Sequence, residues 1–170
     1  MTRIKIENPG SRTRSRMQHF LFYAVLTVAV YLLYMVGLAI YSWQRPELGV
    51  VGGVLTPCGS KPNCVCSQGS PAERTVAALP IGDLSPAEAF DRARDSVESL
   101  PRCTLISADP GYVRYECCTQ LFRFADDVEL LLDEAAGVIH VRSSSRVGYS
   151  DMGVNRKRVE EIREAYSRGG

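Results

Sequence analysis

The sequence has 170 residues, enough for one ordinary domain with a membrane anchor and too few for a second domain. Five of its 20 basic residues and one acidic residue precede a long apolar run, so the rest of the chain carries 15 basic and 18 acidic residues. Such a remainder lacks the concentrated basic surface that nucleic-acid binding requires, and no nucleic-acid partner is expected.

The strongest pattern in the chain is a run of 24 uncharged residues from Phe20 to Trp43. As a helix it would be roughly 36 Å long, and a helix of that length crosses a hydrocarbon core of ~30 Å with some tilt. Tyr23 near one end, and Tyr41 with Trp43 at the other, suit the aromatic belts at the two membrane interfaces. The run therefore predicts a membrane-spanning helix whose partner is the lipid bilayer.

The flanking charges predict how this helix is oriented. Basic residues cluster in the tail 1–19, whereas lysine and arginine are nearly absent just after the helix 20–43. The positive-inside rule then predicts a cytoplasmic tail and a domain outside the cytoplasm. A cleaved signal peptide is the alternative, but its apolar region is only about 7 to 15 residues long and ends at small residues. This run is longer and ends at Ser42-Trp43-Gln44-Arg45.

Residues 44–68 form a predicted linker with a cysteine-containing loop, and their glycines and prolines indicate a start without regular structure. Cys58 and Cys64 lie six positions apart, which in an oxidising compartment favours a small disulfide-closed loop and leaves Cys66 spare. The alternatives are a thiolate metal site and redox chemistry. The spacing C-x5-C-x-C is not a zinc pattern, so no metal and no cofactor is expected.

The remaining residues, 69–170, are predicted to form the folded domain. Ser85, Pro86 and Glu88 have the order of a capping box, with serine as the N-cap, proline at the first helical position and glutamate at the third. Apolar residues at helical spacing follow, and Pro101 ends the run. One helix is therefore expected here.

Two strands, 103–107 and 112–118, are predicted on either side of an Asp-Pro-Gly turn. With Ser107 opposite the first or second residue of the second strand, Cys103 comes opposite either the glutamate at 116 or Cys117. A cross-strand disulfide between Cys103 and Cys117 is therefore possible. The cysteine that follows points to the opposite face, so the two adjacent cysteines are not expected to pair with each other.

A second hairpin is predicted with the loop 134–137, because this register gives one face that is wholly apolar. A shift by one residue would mix polar and apolar groups on both faces, which a half-buried sheet does not tolerate. The apolar face consists of Val128, Leu130, Leu132, Ile139 and Val141. The other face is a polar strip in which Glu129 lies opposite Arg142 and Asp127 opposite Ser144, with His140 and Arg146 further along.

The chain ends in a predicted helix, with Ser150 as its N-cap and Asp151 in its first turn. Arg156 and the following lysine are expected to pair with glutamates four residues later. Asn155 is the polar member of the apolar face, and it either satisfies a buried backbone group or faces a ligand. That face consists of Met152, Asn155, Val159, Ile162 and Tyr166.

These elements together predict an α+β domain. A small antiparallel sheet of about four to five strands is packed with two helices, and one transmembrane helix precedes it.

Three motifs carry a family resemblance. They are the run PNCVCSQ at residues 62–68, FADDVE at 124–129 and VRSSSRVGYSDMGVNRKRVE at 141–160. Over about residues 55–166 the chain resembles the domain-of-unknown-function family 1499. The resemblance implies a bacterial inner-membrane protein, because members are associated with bacteria and plastids, and it implies no particular activity. Cys66 and Ser144 stand where the family usually has serine and alanine, so a catalytic role for Cys66 is not implied.

The third motif overlaps the polar strip, which makes this region the candidate site. Arginine suits carboxylate or phosphate through its planar fork, so the site would hold an anionic or amphipathic small molecule. The alternative is a buried network in which the acids neutralise the arginines, since buried charges persist only when paired. The candidate ligand-binding residues are Asp127, Glu129, Arg142, Ser144, Arg146, Tyr149, Asp151, Asn155 and Arg156.

Three functions are compatible with the sequence. The first, and the one we expect, is an accessory or assembly protein that binds a membrane-protein partner, marked by an exposed apolar patch near the membrane. The second is a binding module for a small anionic ligand or a lipid headgroup. The third is an enzyme, but the sequence has no hydrolase, metalloprotease or phosphate-loop motif. His140 with Ser143, Ser144 or Ser145 would be its nucleophilic arrangement, and His140 is also explained as an outward strand residue.

Overall fold

The structure, a computed structural model, describes residues 9–169, with side chains from residue 16 onward. Helix α1 runs from Pro9 to Ser42. Its stretch Arg16–Ser42 is long enough to cross a bilayer and contains an 18-residue window with a mean hydropathy of 2.2, which suggests a membrane anchor. The chain up to Gly37 and the chain from Leu38 onward form two compact units, so the last turn of α1 belongs to the second unit, the folded domain.

The domain is α+β, as the sequence predicts. After α1 it contains the strands β1 (Val50–Val51), β2 (Val54–Leu55), β3 (Cys64–Cys66) and β4 (Leu79–Pro80), the helix α2 (Pro86–Glu98), the strands β5 (Cys103–Asp109), β6 (Tyr112–Cys118), β7 (Ala125–Asp133) and β8 (Val138–Ser145), and the helix α3 (Val154–Arg168). A single 3-10 turn, Ala72–Arg74, lies between β3 and β4.

Six of these strands form one antiparallel sheet. Its order is β3-β8-β7-β6-β5, and β4 pairs with the first half of β8 while β3 pairs with the second half. The sequence predicts four to five strands because β3 and β4 have three and two residues, too few to show a periodic pattern. Residues 45–49 have no regular structure, after which β1 and β2 form a small hairpin and β3 joins the sheet.

The register predicted for the β7–β8 hairpin is confirmed. Asp133 pairs with Val138 across the loop, and the pairs further along are Glu129 with Arg142 and Asp127 with Ser144. The predicted apolar face is accordingly buried: four of its five residues have no exposed surface, and Leu132 packs against them partly buried. Each fully buried aliphatic side chain of this kind contributes about 1.5–3 kcal/mol.

The register predicted for the β5–β6 hairpin is wrong near its turn. Ser107 pairs with Arg114, because β5 continues to Asp109 and leaves a turn of only two residues. A register shift between Leu105 and Ser107 then inserts one extra residue, as a β-bulge does, and brings Cys103 opposite Cys117. In so short a strand, the pattern of polar and apolar residues does not reveal where a bulge lies.

The four cysteines proposed for disulfides form two bonds. Cys58 is bonded to Cys64 with their Cα atoms 5.6 Å apart, and Cys103 is bonded to Cys117 with Cα atoms 4.0 Å apart. The first bond closes the loop before β3, and the second joins neighbouring strands β5 and β6. Disulfides are typical of proteins that fold in oxidising compartments.

The capping box predicted for α2 is confirmed, since Ser85 Oγ accepts from the Glu88 amide and the Glu88 carboxylate accepts from the Ser85 amide. The predicted start of α3 is wrong. Its N-cap is Gly153, whose φ of 83° glycine adopts without strain, and Ser150 lies outside the helix. Asp151 Oδ2 accepts from the Asn155 amide at 2.7 Å instead. Met152, expected on the buried face, is 96% exposed.

Helices α2 and α3 cover one face of the sheet and complete the main core there. The core includes Val97 of α2, Ile162 of α3 and the inward residues of β6, β7 and β8. The opposite face of the sheet carries the polar strip. It is covered by the irregular chain before β3, where Leu55 of β2 packs with Cys66 and Tyr112. Both faces are therefore buried, one by helices and the other by the N-terminal segment of the domain.

Candidate functional site

Most of the polar strip belongs to a buried ionic cluster. Three arginines and three carboxylates meet on the face of the sheet that points away from the helices, so their formal charges balance. They come from β6, β7 and β8 and from the residue just after β8: Arg114, Glu116, Asp127, Glu129, Arg142 and Arg146. We call these six residues the ionic cluster.

Asp127 is the centre of the ionic cluster and has no exposed surface. Its Oδ1 accepts from Nε and Nη2 of Arg114 at 2.9 and 2.8 Å and from Nη2 of Arg146 at 2.8 Å, and its Oδ2 accepts from Nε of Arg146 at 2.8 Å. Burial alone would lower the pKa of Arg146, but its bonds to Asp127 and Glu116 outweigh burial and raise the pKa. One carboxylate thus holds two buried guanidinium groups.

Glu129 is the second buried carboxylate. Its Oε2 accepts from Nη1 of Arg142 at 2.6 Å, and its Oε1 accepts from the Tyr112 hydroxyl at 2.8 Å. Burial, followed by the charge of Glu129, raises the pKa of Tyr112, so the phenol keeps its proton and acts as a donor. Among the described residues, Nε of Arg142 is buried without a hydrogen-bond partner.

The ionic cluster also binds the backbone that leads from α1 into the domain. Arg146 Nη1 donates to the carbonyl of Ser42 at 3.1 Å, and Arg114 Nη1 donates to the carbonyl of Pro46 at 3.0 Å. The hydroxyl of Ser42 accepts from the amide of Ala125, the first residue of β7, at 2.9 Å. The end of α1 and the segment that follows it are therefore fixed to the sheet by these three hydrogen bonds.

A second polar cluster lies on the other face, beneath α3. Asn155 donates to the carbonyl of Asn63 and to Ser145 Oγ, both at 3.0 Å, and its Oδ1 accepts from Ser143 Oγ at 2.6 Å. Arg158 bonds the same Oδ1 and reaches Asp126 at 2.7 Å. Burial raises the pKa of Asp126, and Arg158 opposes that rise. Asn155 thus satisfies buried groups, which is one of its two predicted roles.

The candidate ligand-binding residues fall into separate places. The structure brings together Asp127, Glu129, Arg142, Ser144 and Arg146 on the cluster face. Asn155 lies on the opposite face, Asp151 caps α3, and Tyr149 is 73% exposed in the loop before α3. Arg156 donates to the carbonyls of Thr75 and Glu73 rather than to a glutamate in its own helix.

Sequence reasoning missed three members of this region, Tyr112, Arg114 and Glu116. They alternate along β6 and therefore share one face, which pairing with β7 places beside Leu131, Glu129 and Asp127. The alternation was visible in the sequence. The order of β6 and β7 in the sheet, which makes that face continuous with the polar strip, follows only from the fold.

His140 lies apart from the ionic cluster, between Ser67 and Asp133. Its Nδ1 is 3.1 Å from Ser67 Oγ and its Nε2 is 3.5 Å from Asp133 Oδ2. The ring nitrogens are reversed relative to the serine hydrolase triad, and Ser67 Oγ already accepts from the amide of Val141. Ser143 is buried beneath α3. We assign Ser67, His140 and Asp133 a structural role, which is to hold the end of β3 on β8.

The free thiols are poorly suited to chemistry. Burial raises the pKa of both Cys66 and Cys118, which lowers the thiolate fraction that a nucleophile or a metal ligand needs. Within the part of the chain described, no group of three histidine, cysteine, aspartate or glutamate side chains is placed to hold a metal ion.

A cleft of about 330 Å³ opens beside the ionic cluster. Its lining includes Arg142, Ser144 and Lys61 of the disulfide-closed loop. Arg74 holds this loop in place through the carbonyls of Gly59 and Lys61. Because the ionic cluster is neutral as a whole, Lys61 gives the cleft an excess of positive charge.

Exposed apolar side chains belong to the loops at the end of the sheet where Ser42 is bound. The loops before β7 and after β8 leave the sheet at this end, since Ala125 is bonded to Ser42 and Asp126 pairs with Ser145. Trp43 Nε1 donates to the carbonyl of Arg123 in the first of these loops at 3.1 Å. We call the exposed residues the anchor-end rim: Trp43, Leu121, Tyr149 and Met152, which are 58%, 80%, 73% and 96% exposed.

Comparison with known proteins identifies the family and nothing closer. Searches of curated proteins and of solved structures gave no match. A family model described as "Protein of unknown function (DUF1499)" matches residues 54–166, which include β2, the whole six-stranded sheet, α2 and nearly all of α3. The chain therefore belongs to the DUF1499 family.

Proposed function

We propose that this protein is a single-pass accessory protein of a bacterial inner membrane. Helix α1 spans the bilayer with its basic N-terminus in the cytoplasm, and the domain outside the cytoplasm binds a membrane-protein partner through the anchor-end rim. The two disulfides support an oxidising compartment, and the basic residues before the apolar run support this orientation.

The observation that carries the proposal is the position of the anchor-end rim. Trp43 directly follows Ser42, and the other three side chains belong to the loops that leave the sheet at the end where Ser42 is bound. The backbone holds two rim loops in unusual conformations, since Arg123 and Met152 have φ angles of 58° and 54°. Left-handed conformations at non-glycine residues cost free energy and are found at functional sites. A largely exposed methionine and leucine at the end of the sheet that binds Ser42 fit a partner that lies in the same membrane.

The proposal is tested by photo-crosslinking in intact membranes. A benzophenone amino acid is placed at Leu121 and, separately, at Met152. The matched control is Ala135, an exposed residue in the β7–β8 loop at the other end of the sheet. We expect a protein adduct of one defined mass from both rim positions and none from position 135, because only the rim faces the partner. Adducts to lipid alone, or equal adducts from position 135, would contradict the proposal.

The cleft supports a second candidate function, the binding of a small anionic ligand. Arg142 uses Nη1 for Glu129 but has a buried Nε without a partner among the described residues, and Ser144 and Lys61 lie beside it. A carboxylate or phosphate would receive charge-assisted hydrogen bonds from these groups. The carboxylates of the ionic cluster are already paired with arginines, so the charge of Lys61 is available to bind an anion.

Inorganic phosphate is the probe for this second candidate. The variant is Lys61→Ala, because Lys61 is exposed and its side chain is outside the ionic cluster. Losing one charge-assisted hydrogen bond should weaken phosphate binding about tenfold or more in calorimetric titration of the detergent-solubilised protein. Lys157→Ala, at an exposed lysine of α3, should bind as the native protein does. Absence of binding, or equal binding by both variants, would rule the site out.

A further inference from the structure

The anchor helix carries a stripe of hydroxyl side chains. Tyr23, Thr27, Tyr31 and Tyr34 are separated by four, four and three residues. In a helix these steps return to the same side, so the four side chains lie within about 80° of one face. We call them the hydroxyl stripe. The opposite side of α1 carries leucine, valine and phenylalanine.

Two members of the hydroxyl stripe lie deep in the bilayer if α1 spans it, as the proposed function has it. The apolar run extends from 20 to 43, so Tyr31 is at its midpoint and Tyr34 is about 4 Å further along the axis. Helical side chains lean towards the N-terminus, which points Tyr34 back to the middle rather than to the nearer surface. Both hydroxyls are then about 10 Å or more from water.

An unbonded hydroxyl in hydrocarbon is costly, and the structure shows which member of the hydroxyl stripe avoids this cost. Thr27 Oγ1 donates to the carbonyl of Tyr23 in its own helix at 2.8 Å. Tyr31 and Tyr34 are 56% and 61% exposed, and their hydroxyls have no hydrogen-bond partner among the described residues. A phenol oxygen is too far from its own backbone to bond there, so a second molecule must supply the partner.

We infer that the hydroxyl stripe is a docking surface for a second copy of this helix. A tyrosine hydroxyl is both donor and acceptor, so the hydroxyl stripe is complementary to itself. Two parallel copies related by a twofold axis along the bilayer normal place Tyr31 and Tyr34 of one copy beside those of the other. Hydrogen bonds between polar side chains are a known source of helix association in membranes, where the hydrophobic effect supplies none. The inferred assembly is a homodimer of the anchor.

The experiment is a dilution series of the full-length protein in liposomes, with the number of subunits counted by single-molecule photobleaching. The test variant is Tyr31→Phe with Tyr34→Phe, which removes two hydroxyls and keeps the ring shapes. The control is Tyr23→Phe, whose hydroxyl lies near the interface, where water can replace a lost bond. We expect a dimer in the native protein, about tenfold weaker association in the double variant, and little change in the control.

A monomeric native protein, or a dimer that the double variant leaves intact, would overturn the inference. Resistance to alkaline extraction is measured on the same membranes, because a failure there would refute the proposed spanning of the bilayer rather than the pairing of helices. A dimer lost equally in Tyr23→Phe would also overturn the inference, since the bilayer centre would then have no special role.

Discussion

Replacing Asp127 with asparagine is expected to lower the free energy of unfolding by about 3–5 kcal/mol, because it leaves two buried guanidinium groups without their shared counter-charge. Asp127 accepts four hydrogen bonds from Arg114 and Arg146 and is completely buried. An asparagine offers one carbonyl and turns its own donors towards the donors of the arginines. A loss of this size is a large part of the ~5–15 kcal/mol that stabilises an ordinary domain.

Urea unfolding of the detergent-solubilised full-length protein measures this loss. Trp43, the single tryptophan, is bonded to Arg123 at the base of the domain, so its fluorescence reports unfolding. The control is Asp91→Asn in α2, which removes a carboxylate that is 70% exposed and pairs with Arg94 in the same helix. That change should cost no more than about 0.5 kcal/mol. Equal midpoints for the Asp127→Asn and Asp91→Asn variants would mean that the ionic cluster does not stabilise the fold.

The second hairpin shows why part of this site was predictable from the sequence. Only one register of the two strands keeps Val128, Leu130 and Val141 together on one apolar face, so the pairing of Glu129 with Arg142 follows from the pattern alone. The arginine that shares Asp127 with Arg146 comes from β6. Its contribution depends on which strands are neighbours in the sheet, and that is not a local property of the chain.

The sequence does not predict that the polar strip is covered by another segment. A strand with a polar face normally turns that face to water, and nothing in the composition of residues 44–62 shows that this glycine-rich segment lies over it. The scatter of the candidate residues has a simpler cause. Asn155 and Arg156 are neighbours in α3, but one helical step is about 100°, so one faces the sheet and the other the segment before β4.

The ionic cluster holds the N-terminal segment of the domain against the sheet. Its arginines bind carbonyls of Ser42 and Pro46, and the chain that follows supplies Leu55 to the small core beneath it and β3 to the sheet. The segment between α1 and α2 is therefore an integral part of the domain rather than a flexible tether, and the domain is fixed to the last turn of α1.

Amide hydrogen exchange on the full-length protein in lipid nanodiscs is the most direct test of this account. The amides of Leu55, Thr56 and Ser67 donate to Gln68 Oε1, to the carbonyl of Gly49 and to the carbonyl of Val141. We expect them to exchange at least about a hundredfold more slowly than a free chain and to lose that protection in Asp127→Asn. Exchange at the rate of a free chain in the native protein would show that the segment is a tether and would contradict the central claim.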